Sequence, residues 1–185
     1  MNKKKILVVI DMQNDFISGV LGTPEAQVIV PRVAKKIKNF DGDYMFFTMD
    51  THCELDYLDT REGRHLPIPH CIKYSDGWKL ASEVFNGARF SNCLSQRSLE
   101  KSDFVYPRWK KIIRKLFEHE DVEFEVVGLV TDICVISNVF ALRKVCPEVE
   151  ITVDASCCAG TTPEAHKAAL TVMKSCQINV INEDE

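Results

Sequence analysis

Short, unbroken apolar runs that alternate with helix-spaced segments constrain this chain more than any other feature of its sequence. Ile6-Leu7-Val8-Val9-Ile10 is a β-branched run that stops at Asp11, the pattern of a strand buried on both faces in a parallel sheet. Thr23-Pro24 with Glu25 then supplies a cap, a first-turn proline and an acidic first turn. Val28, Val30, Val33, Ile37 and Phe40 recur behind it at near-helical spacing up to Asp41-Gly42, so a helix is expected there. Tyr44-Met45-Phe46-Phe47-Thr48 reads as the second strand and again runs towards an acid, Asp50. Residues 51 to 100 lack sustained periodicity and contain Gly63, Pro67, Pro69, Gly77 and Gly87. A loop region of that length inside a compact domain is functional or disordered, and its histidines and aromatics favour function.

Regularity resumes at Phe104-Val105, followed by a predicted helix around Trp109 to His119 that carries Ile112, Ile113, Leu116 and Phe117. A strand is expected over 124–129, a largely buried helix from about Thr131 to Arg143, and another strand over 149–153. Thr162-Pro163-Glu164 opens a helix carrying Ala165, Ala168, Ala169, Val172 and Met173, and Ile178, Val180 and Ile181 close the set. The predicted fold is α/β: a three-layer open sheet of about six mostly parallel strands with helices on both faces.

Composition narrows the class. With 185 residues, 45% hydrophobic and 27% charged, the chain matches ordinary globular usage, and one domain over 1–185 is expected. Eight cysteines are too few for a disulfide scaffold of this length. Lys3-Lys4-Lys5 leads into an apolar run too short for a secretory signal, and no stretch approaches the roughly 18 apolar residues of a membrane helix. A soluble, cytoplasmic protein with reduced thiols is expected. A net charge of -4 gives no footprint for nucleic acid or an anionic membrane, which leaves a small molecule as the expected partner.

Ligands of such sheets bind outside the carboxyl ends of the strands. Asp11, Asp50 with His52, Lys101 and Cys134 lie near those ends. Taken alone, Asp11 is a solvated acid or a helix cap. Asp50 and His52, two apart in an extended segment, point the same way, as ligands of one metal ion would, although a lone pair of this kind is more often structural. His70 follows two stiffening prolines, Pro67 and Pro69, and Glu62 lies between. Asp, His, Glu and His together make an oxygen and nitrogen site suited to Zn, Mn or Fe. His65 competes, but reads better as surface. The remaining cysteines show no Cys-x-x-Cys spacing, and Cys157-Cys158 are adjacent, so a zinc ribbon is not expected. Cys134 sits where a strand ends and a helix begins, with Thr131 or Asp132 able to cap it. There the helix dipole and backbone N–H groups favour a thiolate and an oxyanion. Its bland alternative is a small buried hydrophobe.

Four ordered motifs carry a resemblance. Asp11-Met12-Gln13-Asn14-Asp15-Phe16, Asp50-x-His52, Pro69-His70-Cys71 and Gly128-Leu129-Val130-Thr131-Asp132-Ile133-Cys134-Val135 resemble those of the isochorismatase-like cysteine hydrolases, with the nicotinamidase branch the closest match, from Ile6 to Ile181. The resemblance implies a six-stranded parallel sheet, an Asp-Lys-Cys triad and a divalent metal beside it. Asp11 takes the acid-base role, Cys134 the nucleophile, and Asp50, His52 and His70 the metal. Glu62 matches a fourth ligand used by some nicotinamidases, across a one-residue gap. Glu100-Lys101-Ser102-Asp103-Phe104 resembles a segment that precedes the family's third strand, with its Pro-Thr pair replaced. Lys101 is therefore the triad lysine, and Lys110 and Lys111 read as surface. A cis peptide is implied at Leu129-Val130, with the N–H groups of Val130 and Cys134 facing an oxyanion.

The expected activity is hydrolysis of a small planar amide, nicotinamide first, through a thioester on Cys134. The metal would bind the pyridine nitrogen, with zinc the first choice. Phe16 and Trp78 are candidates for the aromatic walls of the pocket or for core. Other readings are a related amide or ureido hydrolase, a non-catalytic binding module, and a thiol redox protein using Cys134 or Cys157-Cys158. The family commonly assembles as dimers or tetramers, so a homo-oligomer is expected.

Overall fold

A computed structural model of the chain describes residues 3–117 and 121–183. Its strands are β1 (Lys4–Ile10), β2 (Tyr44–Asp50), β3 (Ser95–Lys101), β4 (Val122–Leu129), β5 (Glu150–Ala159) and β6 (Asn179–Ile181). The helices are α1 (Asn14–Ile17), α2 (Pro24–Asn39), α3 (Arg61–His65), α4 (Ser82–Arg89), α5 (Trp109–Phe117), α6 (Ile136–Val145) and α7 (Pro163–Ser175). The strands form one sheet in the order β3-β2-β1-β4-β5-β6, and every neighbouring pair is parallel. The chain thus builds outwards from β1 in one direction and then, from β4, in the other.

Alternation along the central strands feeds two cores. Ile6, Val8, Ile10, Phe46, Phe124 and Val126 face α5, α6 and α7. Leu7, Val9, Met45, Phe47, Val127 and Leu129 face α2 and α4. β1 is buried on both sides, which is why it reads as a continuous apolar run. Thr23 and Thr162 cap α2 and α7 by accepting from the backbone N–H groups of Ala26 and Ala165. Within α2, Ala26, Ile29, Val30, Val33 and Ile37 turn inwards, whereas Val28, expected on the buried stripe, stands exposed.

Three expectations are corrected. Residues 51–100 are not irregular, because α3, α4 and β3 lie within them. The third strand is Ser95–Lys101 rather than the segment at Phe104-Val105. As the sheet's edge strand it buries only Leu99 and Lys101 along its polar sequence, so it lacks the apolar signature of its neighbours. Lys101 consequently ends that strand instead of preceding it. The predicted helix after β4 also begins with a wider turn: Val135 N donates to Val130 O at 3.1 Å, an i to i+5 bond over Thr131–Val135. The far end of the helix expected to reach His119 falls outside the described residues. No helix among the described residues is long and apolar enough to cross a membrane.

β1 and β4 approach closely at Gly128. Its φ is +119°, and a Cβ there would stand 2.1 Å from the Ile10 carbonyl oxygen, so only glycine fits.

Candidate active site

Four neighbouring strands each deliver one buried side chain to the carboxyl edge of the sheet. In sheet order these are Lys101 from β3, Asp50 from β2, Asp11 just after β1 and Cys134 just after β4. Lys101 Nζ lies 2.7 Å from Asp11 Oδ2, 3.2 Å from Asp50 Oδ1 and 3.7 Å from Cys134 Sγ. One ammonium therefore touches both carboxylates and the thiol. Asp11 adopts φ 46°, in the left-handed region, and its Oδ1 accepts from Thr48 Oγ1 at 2.6 Å. That unusual backbone turns the carboxylate out of the strand and towards Lys101.

Burial and charge set the protonation of this cluster. Burial pushes the Asp11 carboxyl up, Lys101 pulls it down, and Asp50 pushes it up again. Burial and the Asp11 carboxylate push the Cys134 thiol well up, with Lys101 opposing. Burial disfavours the Lys101 cation, yet Asp11, Cys134 and Asp50 hold its pKa well above the ordinary value. Burial and the neighbouring carboxylate thus favour the neutral form of the Cys134 thiol. Desolvation weighs against the thiolate expected from the helix dipole and towards the buried neutral alternative. Neither Thr131 nor Asp132 caps the turn, since the hydroxyl of Thr131 meets His166 and Asp132 binds Thr161. The Leu129–Val130 peptide bond is cis, Val130 precedes the turn that follows, and Cys134 lies within it.

Beside the lysine, Asp50, His52, Glu62 and His70 each turn one ligand atom into a common space, all within 4.8 Å of one another. His52 Nε2 lies 2.9 Å from Asp50 Oδ2 and 3.8 Å from Glu62 Oε2; His70 Nε2 lies 3.4 Å from Asp50 Oδ2 and 3.6 Å from Glu62 Oε1. His52 is fixed by a parallel bridge in which its N–H donates to Cys71 O and its carbonyl accepts from Lys73 N. His70 Nδ1 lies 2.9 Å from the Ile68 carbonyl, to which it donates, leaving Nε2 with its lone pair towards the cluster. Thr60 caps α3 and so sets Glu62 in its first turn.

The donor set fits a borderline divalent cation. Burial and Asp50 push Glu62 up, and His70 is raised by Asp50 and Glu62 although burial opposes its proton. Burial likewise works against the charge of Asp50, but His52, His70 and Lys101 hold its carboxyl well below the usual range. Asp50 raises both Glu62 and His70, and a divalent cation would offset that negative charge.

Phe16, half-buried, sets its ring edge-on to His70 at 5.5 Å. Trp78, also half-buried, donates from Nε1 to Thr51 Oγ1 at 2.9 Å, between Asp50 and His52 in sequence. His65 is exposed and bonds within α3, to the Arg61 carbonyl, and Lys110 and Lys111 are exposed on α5. Sequence reasoning missed three supporting residues. Gln13 is fully buried and brackets the Asp50 backbone, accepting from its N–H at 2.7 Å and donating to its carbonyl at 2.8 Å. Tyr57 packs its ring against both histidines and donates its hydroxyl to Leu66 O. Asn138 donates to the Cys134 carbonyl at 2.8 Å. Only Gln13 lay in a quoted motif, and nothing in its residue type marked it.

The isochorismatase domain model matches residues 5–185. A Bacillus subtilis (strain 168) protein described as an uncharacterized isochorismatase family protein, PncA, is 29% identical over 140 residues, covering 72% of this chain and 75% of its own length. A solved structure of nicotinamidase/pyrazinamidase PncA from Bacillus subtilis is 27% identical, with a TM-score of 0.77 over 97% of this chain and 100% of that one. N-carbamoylsarcosine amidase from Thermoplasma acidophilum is 26% identical, with a TM-score of 0.73 over 98% of each chain.

Proposed function

The chain belongs to the isochorismatase family, and from that premise we propose that it is a cysteine-dependent amidohydrolase converting nicotinamide to nicotinic acid and ammonia. The observation that carries the reading is Lys101, whose ammonium joins Asp11 and Cys134 on one side to Asp50 of the four-residue ligand cluster on the other. A planar amide with a ring nitrogen spans such a pair of sites. The similarity to a nicotinamidase/pyrazinamidase of Bacillus subtilis supports the same substrate class.

Asp11 takes the proton of the Cys134 thiol, and the sulfur attacks the carboxamide carbon. Its raised pKa suits Asp11 to this task as general base. Backbone N–H groups of Val130 and Cys134 receive the negative oxygen. Asp11 then passes the proton to the amide nitrogen, the C–N bond breaks, ammonia leaves, and the acyl group remains on sulfur as a thioester. Water, giving a proton to Asp11, attacks that carbon; the C–S bond breaks, nicotinic acid leaves, and Asp11 returns the proton to sulfur. Throughout, Lys101 offsets the charge that moves between Asp11 and Cys134. Asp50, His52, Glu62 and His70 would hold a divalent ion, zinc first and manganese or iron as alternatives, which would supply Lewis acidity towards a ring nitrogen. Phe16 and Trp78 flank the ring.

A second reading applies the same triad to a ureido compound, favoured by the similarity to N-carbamoylsarcosine amidase. A coupled ammonia-release assay over nicotinamide, pyrazinamide and ureido substrates, with and without chelator, separates the two. Nicotinamide as best substrate, with activity lost to chelator and restored by zinc, is the expected result. Release from ureido substrates alone overturns the nicotinamide assignment.

A further inference from the structure

The turn that carries Cys134 is pinned from behind by the start of α7. Thr131 is fully buried, and its Oγ1 lies 2.8 Å from His166 Nδ1. The next residue, Asp132, accepts two hydrogen bonds from Thr161, one from the amide at 2.8 Å and one from the hydroxyl at 2.6 Å. Gly160 permits this approach, since a Cβ there would stand 2.8 Å from both Asp132 Oδ1 and the His166 backbone nitrogen. The helix start is itself fixed: Thr162 accepts from Ala165 N through its side chain and from His166 N through its carbonyl. None of these residues belongs to the triad or the ligand cluster, yet two of them, Thr131 and Asp132, lie in the turn that carries Cys134.

We propose that His166 is a positioning residue for the nucleophile: by fixing the buried Thr131 hydroxyl it sets the backbone that presents the Cys134 thiol and the Val130 and Cys134 N–H groups. The inference rests on the reading of Cys134 given above. Burial holds the His166 imidazole below its ordinary value, Lys167 acts the same way, and Asp132 and Glu183 oppose them. With the ring neutral and its proton on Nε2, Nδ1 accepts from Thr131. Removing that acceptor leaves a buried hydroxyl unsatisfied, and the turn must shift to satisfy it. A misplacement of this kind acts on the transition state rather than on substrate binding.

The test compares His166→Ala, His166→Asn, Thr131→Val and the double variant His166→Ala with Thr131→Val. Steady-state nicotinamide hydrolysis is measured together with the rate at which iodoacetamide labels Cys134, located by mass spectrometry. The exposed Cys53 and Cys176 serve as internal references. His166→Ala and Thr131→Val are each expected to lower kcat at least about tenfold, with KM within about twofold. The double variant should lose no more than either single, and Asn, whose side-chain oxygen can replace Nδ1 as acceptor, should restore most of the rate. Unchanged kcat, a loss confined to KM, or additive losses overturn the proposal. If His166→Ala fails to fold, Thr131→Val, which replaces the hydroxyl by a methyl of similar size, decides by the same criteria. If the unmodified protein hydrolyses none of the amides, the amidase reading fails alone and the labelling decides. Equal changes at Cys134 in both single variants, with the references constant, uphold the positioning role, and an unchanged Cys134 rate overturns it.

Discussion

Tyr57 serves the two histidines as Gln13 serves Asp50. Its buried ring lies edge-on to His52 at 5.0 Å and to His70 at 5.3 Å, and its hydroxyl is 3.3 Å from His70 Nδ1. Tyr57→Phe keeps the ring and deletes the hydroxyl. Affinity for zinc is then expected to fall about 10- to 100-fold, the usual effect of losing an outer partner of a ligating histidine, as read by competition with a chromophoric chelator. Cys134→Ala should do the opposite: zinc affinity unchanged and ammonia release abolished. Residual turnover in Cys134→Ala would remove the sulfur from the chemistry. The residues legible in sequence were those whose side chains announce chemistry, namely the acids, imidazoles and thiol at strand ends. Gln13, Tyr57 and Asn138 act through hydrogen bonds that neutral side chains make everywhere, and only the folded distances distinguish them. Of the two states the sequence left open for Cys134, a thiolate favoured by the helix terminus and a small buried thiol, burial beside Asp11 favours the second.

At the level of elements, α2 meets the sheet through Lys36, whose ammonium lies 2.7 Å from Asp154 on β5 and also contacts Glu125 on β4. Asp154 accepts further hydrogen bonds from the N–H and hydroxyl of Ser156 and from Asn182. Burial opposes its charge, but Lys36, Ser156 and Asn182 hold its carboxyl below the ordinary value. A carboxyl depressed in the folded state contributes stability that is complete above its unfolded pKa, near about 4, and is lost as pH falls through the lower folded value. Lys36 is raised by Asp154 and Glu125 although burial opposes it, so its share is complete below about pH 10 and is lost above. Urea unfolding should therefore show Asp154→Asn with a flatter acid limb than the unmodified chain. Lys36→Met should cost about 2 kcal/mol at neutral pH, less than the about 3–5 of a fully buried pair because Lys36 reaches water. Equal acid slopes in the two proteins would refute the linkage. The strands and helices around this contact were readable from periodicity, and β3 was not. Its sequence, Ser95-Gln96-Arg97-Ser98-Leu99-Glu100-Lys101, is dictated by a solvent-facing edge, and its strand identity comes from register with β2, where Lys101 stands opposite Asp50.

Across the whole molecule, the site falls where the strand order reverses, between β1 and β4, the position at which open α/β sheets bind ligands. The triad side chains are held by that sheet. The ligand cluster depends instead on residues 50–70, a segment that leaves the sheet at the end of β2, where Thr51 N donates to Lys101 O; the His52–Ile72 bridge closes it on itself, and the Cys71 N–H that donates to Asp15 ties it to α1. A cation bound by two carboxylates and two imidazoles would tie this segment together, and binding to the folded state alone stabilises by mass action. At about 100 times Kd the gain is about 2.7 kcal/mol, which for a chain of this size raises the thermal midpoint by about 5–10 °C. Chelation should lower the midpoint by that amount, and zinc should restore it. The double variant His52→Ala with His70→Ala should melt at the lower temperature and ignore both treatments. Calorimetry of these four states checks the coupling: a midpoint indifferent to chelator in the unmodified protein would mean that the four donors hold no metal, and the ring nitrogen of the substrate would then need another partner.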